Sequence, residues 1–321
     1  MNGKTVLHYR ILEKLGEGGM GVVYLADDTK LERQIAIKFL PKHIAASDEE
    51  GKRFKVEAQA AAALNHPNIA TIHAIEEYDN ELFIVMEYIS GHELKELISK
   101  GPLEIDQAID IATQIAEGLQ SAQEKGIVHR DIKSSNIMVT DDGKVKIMDF
   151  GLAKIGKGIQ LTREQSTLGT APYMSPEQIR GDDVDSRSDI WSFGVVLYEM
   201  ATGELPFEGA YEQAIMYSII NDQPQQIDDP DGKISDRLKN LIYKCLEKTT
   251  DNRYQSFSDI SNDLKMKQNG ENSSSYRKES VSSSVLSVTR KKINRVPYFI
   301  GGVLIFLLAG LFHGFLIQGC G

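Results

Sequence analysis

The sequence predicts an α+β fold in which a strand-rich N-terminal part precedes a helix-rich part. Residues 1–40 alternate apolar and polar side chains as strands do, with a glycine-rich turn at 16–21. A helix is predicted over 48–64, and helical periodicity then dominates from about 93 to 268. Within this second part, residues 189–203 are apolar nearly all round, which predicts a central buried helix.

Length and composition favour a soluble protein with two packed lobes or domains and some additional sequence. The chain has 321 residues, and its hydrophobic and charged fractions are those of ordinary globular proteins. Its net charge of −10 argues against a general nucleic-acid binder. The two cysteines, Cys245 and Cys320, lie far apart, so we expect no disulfide framework and a reducing compartment.

The C-terminal end differs from the rest of the chain in charge and composition. Residues 271–321 carry a charge of +4, whereas residues 1–270 carry −14. Residues 269–295 are rich in serine and in basic side chains, and we predict a juxtamembrane linker there. Residues 296–317 lack formal charge and are long enough to span a bilayer as a helix. A buried core helix is the alternative, but four glycines make it the weaker one. The N-terminus carries no signal-peptide pattern.

Gly16, Gly18 and Gly21 form a G-x-G-x-x-G pattern, and Val23 follows it. Glycines allow a loop to bring its backbone N–H groups close to phosphate oxygens. From this pattern alone, a hairpin without a ligand is an equal alternative. A dinucleotide-binding fold would place a helix directly after the glycines, but the following Val-Val-Tyr-Leu-Ala predicts a strand. The G-K-[ST] of a P-loop is also absent.

Lys38 ends a predicted strand and is a candidate to place its ammonium group under bound phosphates. A solvent-exposed edge lysine is the alternative. In the predicted helix over 48–64, Glu57 projects from the same face as Phe54 and Ala61. A carboxylate on a packed face is costly unless it is paired, so we expect an ion pair between Lys38 and Glu57. A surface position for Glu57 is the alternative.

Three further motifs follow in order along the chain. Residues 129–136 read His-Arg-Asp-Ile-Lys-Ser-Ser-Asn, a polar run between two apolar segments. Residues 149–151 read Asp-Phe-Gly after a predicted strand, and residues 175–177 read Ser-Pro-Glu. Each tripeptide is common by chance, but the five motifs in this order and spacing are not.

With these five motifs, the sequence resembles the eukaryotic-like (Hanks-type) protein kinase family, of the Ser/Thr branch. Ile132 stands where leucine is usual, and Ser175 stands where alanine is usual. The resemblance covers about residues 9–268 and is strongest to bacterial membrane-anchored Ser/Thr kinases. It implies a bilobal kinase fold, with an N-lobe over about 9–88 and a C-lobe over about 89–268, followed by the transmembrane helix.

The resemblance implies specific roles at the phosphate end of the nucleotide. Asp131 accepts the proton of the substrate hydroxyl, and Asn136 and Asp149 hold Mg²⁺. Lys133 steadies the γ-phosphate, and Thr170 helps to order Asp131. The implied cofactors are ATP and Mg²⁺, with Mn²⁺ as an alternative metal.

The resemblance also implies how the rest of the nucleotide is held. Lys38, paired with Glu57, contacts the α- and β-phosphates beneath the glycine-rich loop. The backbone groups of Glu87 and Ile89 meet the adenine base. The apolar slot around the base is expected from these side chains, the last at its back: Leu15, Val23, Ala36, Met138 and Met86.

Other residues of the motifs are expected to be structural. His129 and Phe150 should pack rather than carry protons. Asp189 heads the buried helix over 189–203, where an N-cap is one interpretation. By resemblance, Asp189 binds the backbone of the catalytic loop, residues 129–136, and both roles are compatible. Arg253 is a candidate partner for Glu177.

The segment between the Asp-Phe-Gly and Ser-Pro-Glu motifs holds three hydroxyls, Thr162, Ser166 and Thr167. A phosphate on one of them would pair with Arg130 and order the loop. We therefore predict that the enzyme phosphorylates itself here, and an unmodified loop is the alternative.

The predicted function is transfer of the γ-phosphate of ATP to Ser/Thr hydroxyls of proteins by a single-pass signalling enzyme of the cell membrane. Its kinase domain is expected in the cytoplasm, with protein substrates and the membrane as partners, no nucleic acid, and a homodimer left open. A pseudokinase scaffold, which binds nucleotide and partners without turnover, is the alternative. Its usual sign would be loss of Lys38, Asp131 or Asp149, and all three are present. A small-molecule kinase would generally lack the segment Gly169 to Glu177.

Overall fold

The computed structural model describes four stretches of the chain, residues 2–18, 21–41, 48–150 and 169–268. The chain divides into two units, Met1–Asn272 and Ser273–Gly321, and every described residue belongs to the first. The predicted linker and the predicted span over 296–317 therefore lie outside the described residues. Within the described stretches, no helix is both long enough and apolar enough to cross a membrane.

The N-terminal lobe is built on a six-stranded antiparallel sheet, which confirms the strand-rich first part of the sequence. The strands, in the spatial order β1-β2-β3-β4-β6-β5, are β1 (Thr5–Val6), β2 (Tyr9–Gly18), β3 (Gly21–Asp28), β4 (Arg33–Phe39), β5 (Ile72–Tyr78) and β6 (Glu81–Glu87). Side chains alternate between the two faces of a strand. Ile35 and Ile37 of β4 accordingly enter one apolar cluster, while Ala36 enters a second cluster on the other face. Lys38, two residues after Ala36, therefore faces the second cluster.

Helix α1 (Asp48–Ala62) packs on this second face and lies within the predicted range 48–64. Its Phe54 and Ala58 are fully buried in the cluster that contains Ala36. The helix and the sheet thus place Lys38 in an apolar setting, where its ammonium group requires a partner.

The C-terminal lobe is helical, as the periodicity predicts. Its helices are α2 (Leu94–Ile98), α3 (Ile105–Glu124), α4 (Pro176–Arg180), α5 (Ser186–Thr202), α6 (Glu212–Asn221), α7 (Asp236–Cys245) and α8 (Phe257–Gln268). A small antiparallel sheet, in the order β7-β8-β9, lies in the same lobe: β7 (Gly91–Glu93), β8 (Ile137–Thr140) and β9 (Val145–Ile147).

Helix α5 confirms the predicted central buried helix, since nearly all of its side chains are buried. It begins after Asp185, whose carboxylate caps the helix by accepting the N–H of Arg187, and it ends at Gly203 in the left-handed conformation. The interpretation of Asp189 as the N-cap of this helix is therefore wrong. Asp189 lies inside the first turn, because the helix starts three residues earlier than the apolar pattern suggests.

The two lobes meet through the backbone of β9. Residues 68–70 run beside this strand: the N–H of Ile147 donates to the carbonyl of Asn68, and the N–H of Ala70 donates to the carbonyl of Ile147, both at 2.9 Å. A second connection is covalent. Residues 87–90, which we call the hinge, join β6 of the N-lobe to β7 of the C-lobe.

Candidate active site

The catalytic loop, residues 129–136, brings the predicted catalytic side chains within hydrogen-bond distance of one another. The ammonium group of Lys133 contacts Asp131 Oδ2 and Thr170 Oγ1, each at 2.9 Å. The amide of Asn136 donates to the same Asp131 Oδ2 at 3.0 Å and to the Asp131 carbonyl at 2.8 Å. All four residues are buried. One oxygen of Asp131 is thus fixed by two donors, which sets the direction of its carboxylate.

The backbone of this loop is held by a buried carboxylate from helix α5. Asp189 accepts the N–H of His129 at 2.7 Å and the N–H of Arg130 at 2.8 Å. Arg130 has a φ of 68°, a conformation that L-residues rarely adopt, so these bonds hold a strained turn in place. The role expected of Asp189 towards the catalytic loop is therefore present in the structure.

His129 is a packing residue, as expected. It is fully buried, and its Nε2 lies 2.8 Å from the carbonyl oxygen of Met148. Its ring centroid lies 4.5 Å from that of Phe150, with the two ring planes tilted by 59°. These contacts connect the catalytic loop to the Asp-Phe-Gly motif.

Lys38 of the N-lobe and Asp149 of the C-lobe form an ion pair, with 2.8 Å between Nζ and Oδ1. Burial acts to raise the pKa of Asp149, but the Lys38 ammonium outweighs it and leaves that pKa below its usual value. Asp149 is therefore ionised at neutral pH and available to a cation. Its φ of 59° is again unusual for an L-residue and marks a strained position beside the site.

The expected ion pair between Lys38 and Glu57 is not formed. Lys38 contacts Asp149 instead, and within the described part of the chain no ion pair joins it to Glu57. Glu57 does lie on the packed side of α1 and is half-buried, as expected. The correction has a physical reason: one ammonium group in an apolar setting takes the carboxylate within direct reach, and Asp149 is that carboxylate.

Asn136 and Asp149 provide a donor set that suits the implied magnesium ion. Mg²⁺ prefers hard oxygen ligands and binds proteins through a few of them, together with substrate phosphates. Asp149 offers an ionised carboxylate. The amide nitrogen of Asn136 is turned towards Asp131, and no described residue donates a hydrogen bond to its Oδ1. That oxygen is free to face a cation. Within the described residues, no group of three or more acidic, histidine or cysteine side chains is arranged to hold a metal ion.

The glycine-rich pattern forms the end of the β2–β3 hairpin, so a strand follows it and the dinucleotide alternative is excluded. Gly21 has a φ of 117°, and a Cβ there would lie 1.9 Å from the carbonyl oxygen of Phe39. Gly21 is thus required by close packing against β4. A Cβ on Gly16 or Gly18 would instead meet no atom of the described residues within 4 Å. Among those residues, this leaves room for a ligand at the two glycines.

The residues predicted around adenine come from both lobes. Val23, Ala36 and Met86 share one apolar cluster in the N-lobe, and Ala36 pairs directly with Met86 across β4 and β6. Met138 of β8 is half-buried, whereas Leu15 of β2 is 43% exposed.

The hinge carries the two residues whose backbone was expected to meet the base. The N–H of Glu87 is already bonded to the carbonyl of Thr71 at 2.9 Å. The N–H of Ile89 makes no hydrogen bond within the described residues. The N–H of Ile89 is therefore available to a ligand, as are those of Tyr88 and Ser90, which also make no hydrogen bond within the described residues.

Sequence reasoning missed three groups next to the site. The side chain of Glu87 forms an ion pair with Lys146 of β9. Glu93 lies directly across from Met138 in the β7–β8 pair. Burial raises the pKa of Glu93, against a lowering influence from Lys133. The position of Lys146 between Val145 and Ile147 was the available signal for this residue, whereas β7 reads Gly-His-Glu and offers no such signal for Glu93.

The third missed group is a buried network beneath the catalytic loop. The hydroxyls of Ser134 and Tyr173 lie 2.9 Å apart, and both contact the carboxyl group of Glu199, at 3.2 and 2.8 Å. Burial raises the pKa of both Tyr173 and Glu199. Glu199 also lines an open cavity of about 740 Å³. Nothing in the sequence spacing indicates that these three residues meet.

The pairing expected between Arg253 and Glu177 is confirmed. Two guanidinium nitrogens contact the two carboxylate oxygens at 2.6 and 2.8 Å, and Ser188 donates to Glu177 at 2.6 Å. The Arg253 side chain is fully buried. The end of the segment Gly169 to Glu177 is thereby fixed to the C-lobe core.

The chain folds as a strand-rich lobe and a helical lobe. A lysine of the first lobe pairs with an aspartate of the second, beside a buried Asp–Lys–Asn cluster. This combination defines the class of protein kinases. The family model described as protein kinase domain matches residues 9–264. The chain belongs to this family, in its Hanks-type serine/threonine branch.

Two bacterial relatives illustrate the similarity. A probable serine/threonine-protein kinase of Clostridium acetobutylicum is 45% identical over 264 residues, which cover 81% of this chain and 40% of the relative. The serine/threonine-protein kinase PknB of Mycobacterium leprae is 40% identical over 262 residues, covering 80% of this chain and 42% of the relative. The chain therefore spans about two fifths of the length of the curated relatives it matches.

The solved structures agree on the fold. The crystal structure of the PknI kinase domain of Mycobacterium tuberculosis superposes with a TM-score of 0.64 at 26% identity, covering 83% of this chain and 98% of that one. The bilobal kinase fold predicted from the motifs is confirmed, and the comparisons give no support to a pseudokinase.

Proposed function

We propose that this protein transfers the γ-phosphate of ATP to serine or threonine hydroxyls of protein substrates. The observation that carries the proposal is the convergence of Lys38, Asp131, Asn136 and Asp149, in which an ion pair between the lobes lies beside a hydrogen-bonded catalytic loop. Phosphoryl transfer requires little covalent chemistry from the protein, so positioning and charge stabilisation account for most of the catalysis.

Each residue then has a role that follows from its contacts. Asp131 holds the substrate hydroxyl and takes its proton, since its Oδ2 is fixed by Lys133 and Asn136. Lys133 places positive charge at the transferred γ-phosphate, and Lys38 places positive charge at the α- and β-phosphates. Bound Mg²⁺ would supply further neutralisation of phosphate charge, and Asp149 and Asn136 would hold it. Ile89 would donate its N–H to the adenine ring.

Transfer of labelled phosphate from ATP to a generic protein substrate tests this function. Replacing Lys38 by methionine keeps most of the length of the side chain but removes its charge, so we expect turnover to fall by about 10²–10³-fold, as for loss of other preorganised donors. The exposed Lys30, changed to methionine, is the matched control and should retain the rate of the natural protein. Equal transfer by the Lys38→Met variant and the natural protein would contradict the proposal.

We propose in addition that the protein phosphorylates itself between residues 151 and 175. The hydroxyls of Thr162, Ser166 and Thr167 lie outside the described residues. The support is Arg130, whose Nε is buried and has no hydrogen-bond partner within the described part of the chain. A phosphate is a strong partner for such a guanidinium. Mass spectrometry should find phosphate here in the natural protein and not in Asp131→Asn, and equal phosphate on both would refute self-modification.

We further propose that residues 296–317 anchor the enzyme in the cell membrane as a single helix, with the kinase domain in the cytoplasm. The support is the absence of formal charge in this stretch and the basic residues that precede it. Homodimerisation remains a prediction. The full chain should stay with membranes through an alkaline wash, whereas a Leu307→Arg/Leu308→Arg variant should be released, because each arginine costs about 2.5–3.5 kcal/mol at a helix centre. Recovery of the natural chain in the supernatant would rule the anchor out.

A further inference from the structure

An ion pair behind the hinge connects the two lobes. The ammonium group of Lys146, on β9 of the C-lobe, lies 2.8 Å from Glu87 Oε1 and 2.9 Å from Glu87 Oε2. Both side chains are largely buried, with 16% of Lys146 and 28% of Glu87 exposed. Because water reaches the pair only partly, the attraction is screened less than between surface charges.

Glu87 is also fixed on its other side. Its Oε2 accepts the N–H of Thr71 at 3.1 Å, and its own N–H donates to the carbonyl of Thr71 at 2.9 Å. The carboxylate of this first hinge residue therefore has one orientation, set by the N-lobe backbone and by the lysine of the C-lobe together. Movement of the hinge away from β9 would break the contacts with Lys146.

Lys146 belongs to a row of side chains on the small sheet of the C-lobe. Residues paired across antiparallel strands project from the same face. Glu93 pairs with Met138 across β7 and β8, and Met138 pairs with Lys146 across β8 and β9. The neighbours Ile137, Val145 and Ile147 face the opposite way and are fully buried in the C-lobe core. Lys146 thus rises from the same face as Met138, which lies in the predicted adenine slot.

We propose that Lys146 is a positioning residue for nucleotide binding: through Glu87 it holds the hinge at the distance from Met138 that an adenine ring requires. This inference rests on the proposed function, because it assigns a role within the same nucleotide site. Lys146 itself need not contact the nucleotide. The effect of Lys146 is confined to binding of the adenine base, because the phosphates are assigned to Lys38 at the other end of the site.

The chain offers a close control on the same hairpin. Lys144, two residues earlier, also makes an ion pair, at 2.6 Å from Asp142, but its side chain is 70% exposed and that of Asp142 is 58% exposed. A Lys144→Met variant removes an ammonium group from the same hairpin without touching the hinge. Exposed pairs of this kind contribute little.

The experiment measures the dissociation constants of adenosine and of ATP with Mg²⁺, together with kcat and the thermal midpoint. The variants are Lys146→Met, Lys146→Arg, Glu87→Gln and the double variant Lys146→Met/Glu87→Gln. Gln at position 87 keeps an acceptor for Thr71 and removes only the charge, so it tests the pair if Lys146→Met folds poorly. Lys38→Met serves as the comparison that should weaken ATP and leave adenosine unchanged.

We expect Lys146→Met and Glu87→Gln each to weaken adenosine and ATP by the same factor, about three- to tenfold, as for a partly buried ion pair. The double variant should lose no more than either single variant, because both remove one interaction. Lys146→Arg should restore most of the affinity, because arginine keeps the positive charge. In these variants kcat at saturating ATP should change less than about twofold, because a change that only weakens nucleotide binding leaves kcat unaltered.

Affinities of Lys146→Met and Glu87→Gln equal to those of the natural protein would overturn the inference. So would a loss shared by Lys144→Met, a fall in kcat with unchanged affinity, or weakening of ATP alone. If the natural protein binds adenosine but transfers no phosphate, the proposed function fails while the role of Lys146 in nucleotide binding stands or falls on its own affinities. If it binds neither ligand, both fail.

Discussion

Replacing Asp131 by asparagine is expected to lower kcat by about 10²–10⁴-fold, the usual contribution of a positioned general base. The Michaelis constant for ATP should change little, because Asp131 is assigned to the hydroxyl substrate and not to the nucleotide. Asparagine is nearly isosteric and can still accept a hydrogen bond from Lys133. The variant therefore separates proton acceptance from the shape of the loop.

The geometry of Asp131 supports this expectation. Its Oδ2 receives both Lys133 and Asn136, whereas no described residue donates to its Oδ1. A substrate hydroxyl thus has one oxygen of the carboxylate available and correctly directed. The residue is only 7% exposed, so water does not compete strongly for that oxygen.

Steady-state kinetics with a protein substrate, at saturating ATP, provides the measurement. Asp142→Asn is the matched control, since Asp142 lies on the exposed β8–β9 turn and its side chain is 58% exposed. Asp142→Asn should be indistinguishable from the natural protein. A kcat for Asp131→Asn within about fivefold of the natural value would contradict its role as the general base.

Replacing Arg253 by methionine should lower the free energy of unfolding by about 3–5 kcal/mol, which is the cost of leaving one member of a buried ion pair without its partner. The methionine keeps much of the volume but removes two bonds to Glu177. It also removes the donation from Nε to the carbonyl of Glu247 at 2.7 Å and that from Nη1 to the carbonyl of Arg187 at 2.9 Å. Glu177 would then retain Ser188 as its side-chain donor in a buried setting.

Urea denaturation at neutral pH measures this loss. The double variant Glu177→Gln/Arg253→Met is the control, because it removes the buried charge as well as its partner. It should be more stable than Arg253→Met alone. An unfolding free energy for Arg253→Met within about 1 kcal/mol of the natural protein would show that the pair does not fix this part of the C-lobe.

The same pair makes a prediction about pH. Burial acts to raise the pKa of Glu177, but the bonds from Arg253 outweigh it and hold that pKa below its usual value of 4.5. A carboxyl group whose pKa is lowered by folding stabilises the protein above its unfolded pKa. This contribution is lost as the pH falls through the folded pKa. As the pH is lowered below 5, the free energy of unfolding should therefore fall more for the natural protein than for the Arg253→Met variant.

The sequence by itself determined the order of elements and the chemistry available to the site. Alternation along β4 and the apolar surface of α5 are local patterns, so they predict a strand and a buried helix without knowledge of the partner elements. Lys38 and the motifs around Asp131 and Asp149 likewise fix which side chains can act, because the chemistry of a side chain is set by its residue type and not by the fold.

The tertiary structure alone decided which groups meet. Lys38 pairs with Asp149 and not with Glu57, Asp185 and not Asp189 caps α5, and Lys146 reaches Glu87 across the two lobes. The buried contacts of Ser134, Tyr173 and Glu199 were likewise invisible in the sequence. Residues far apart in the chain become neighbours only when the lobes pack. A buried charge then takes the partner within reach, because leaving it unpaired costs several kcal/mol, about 3–5 for a broken buried pair.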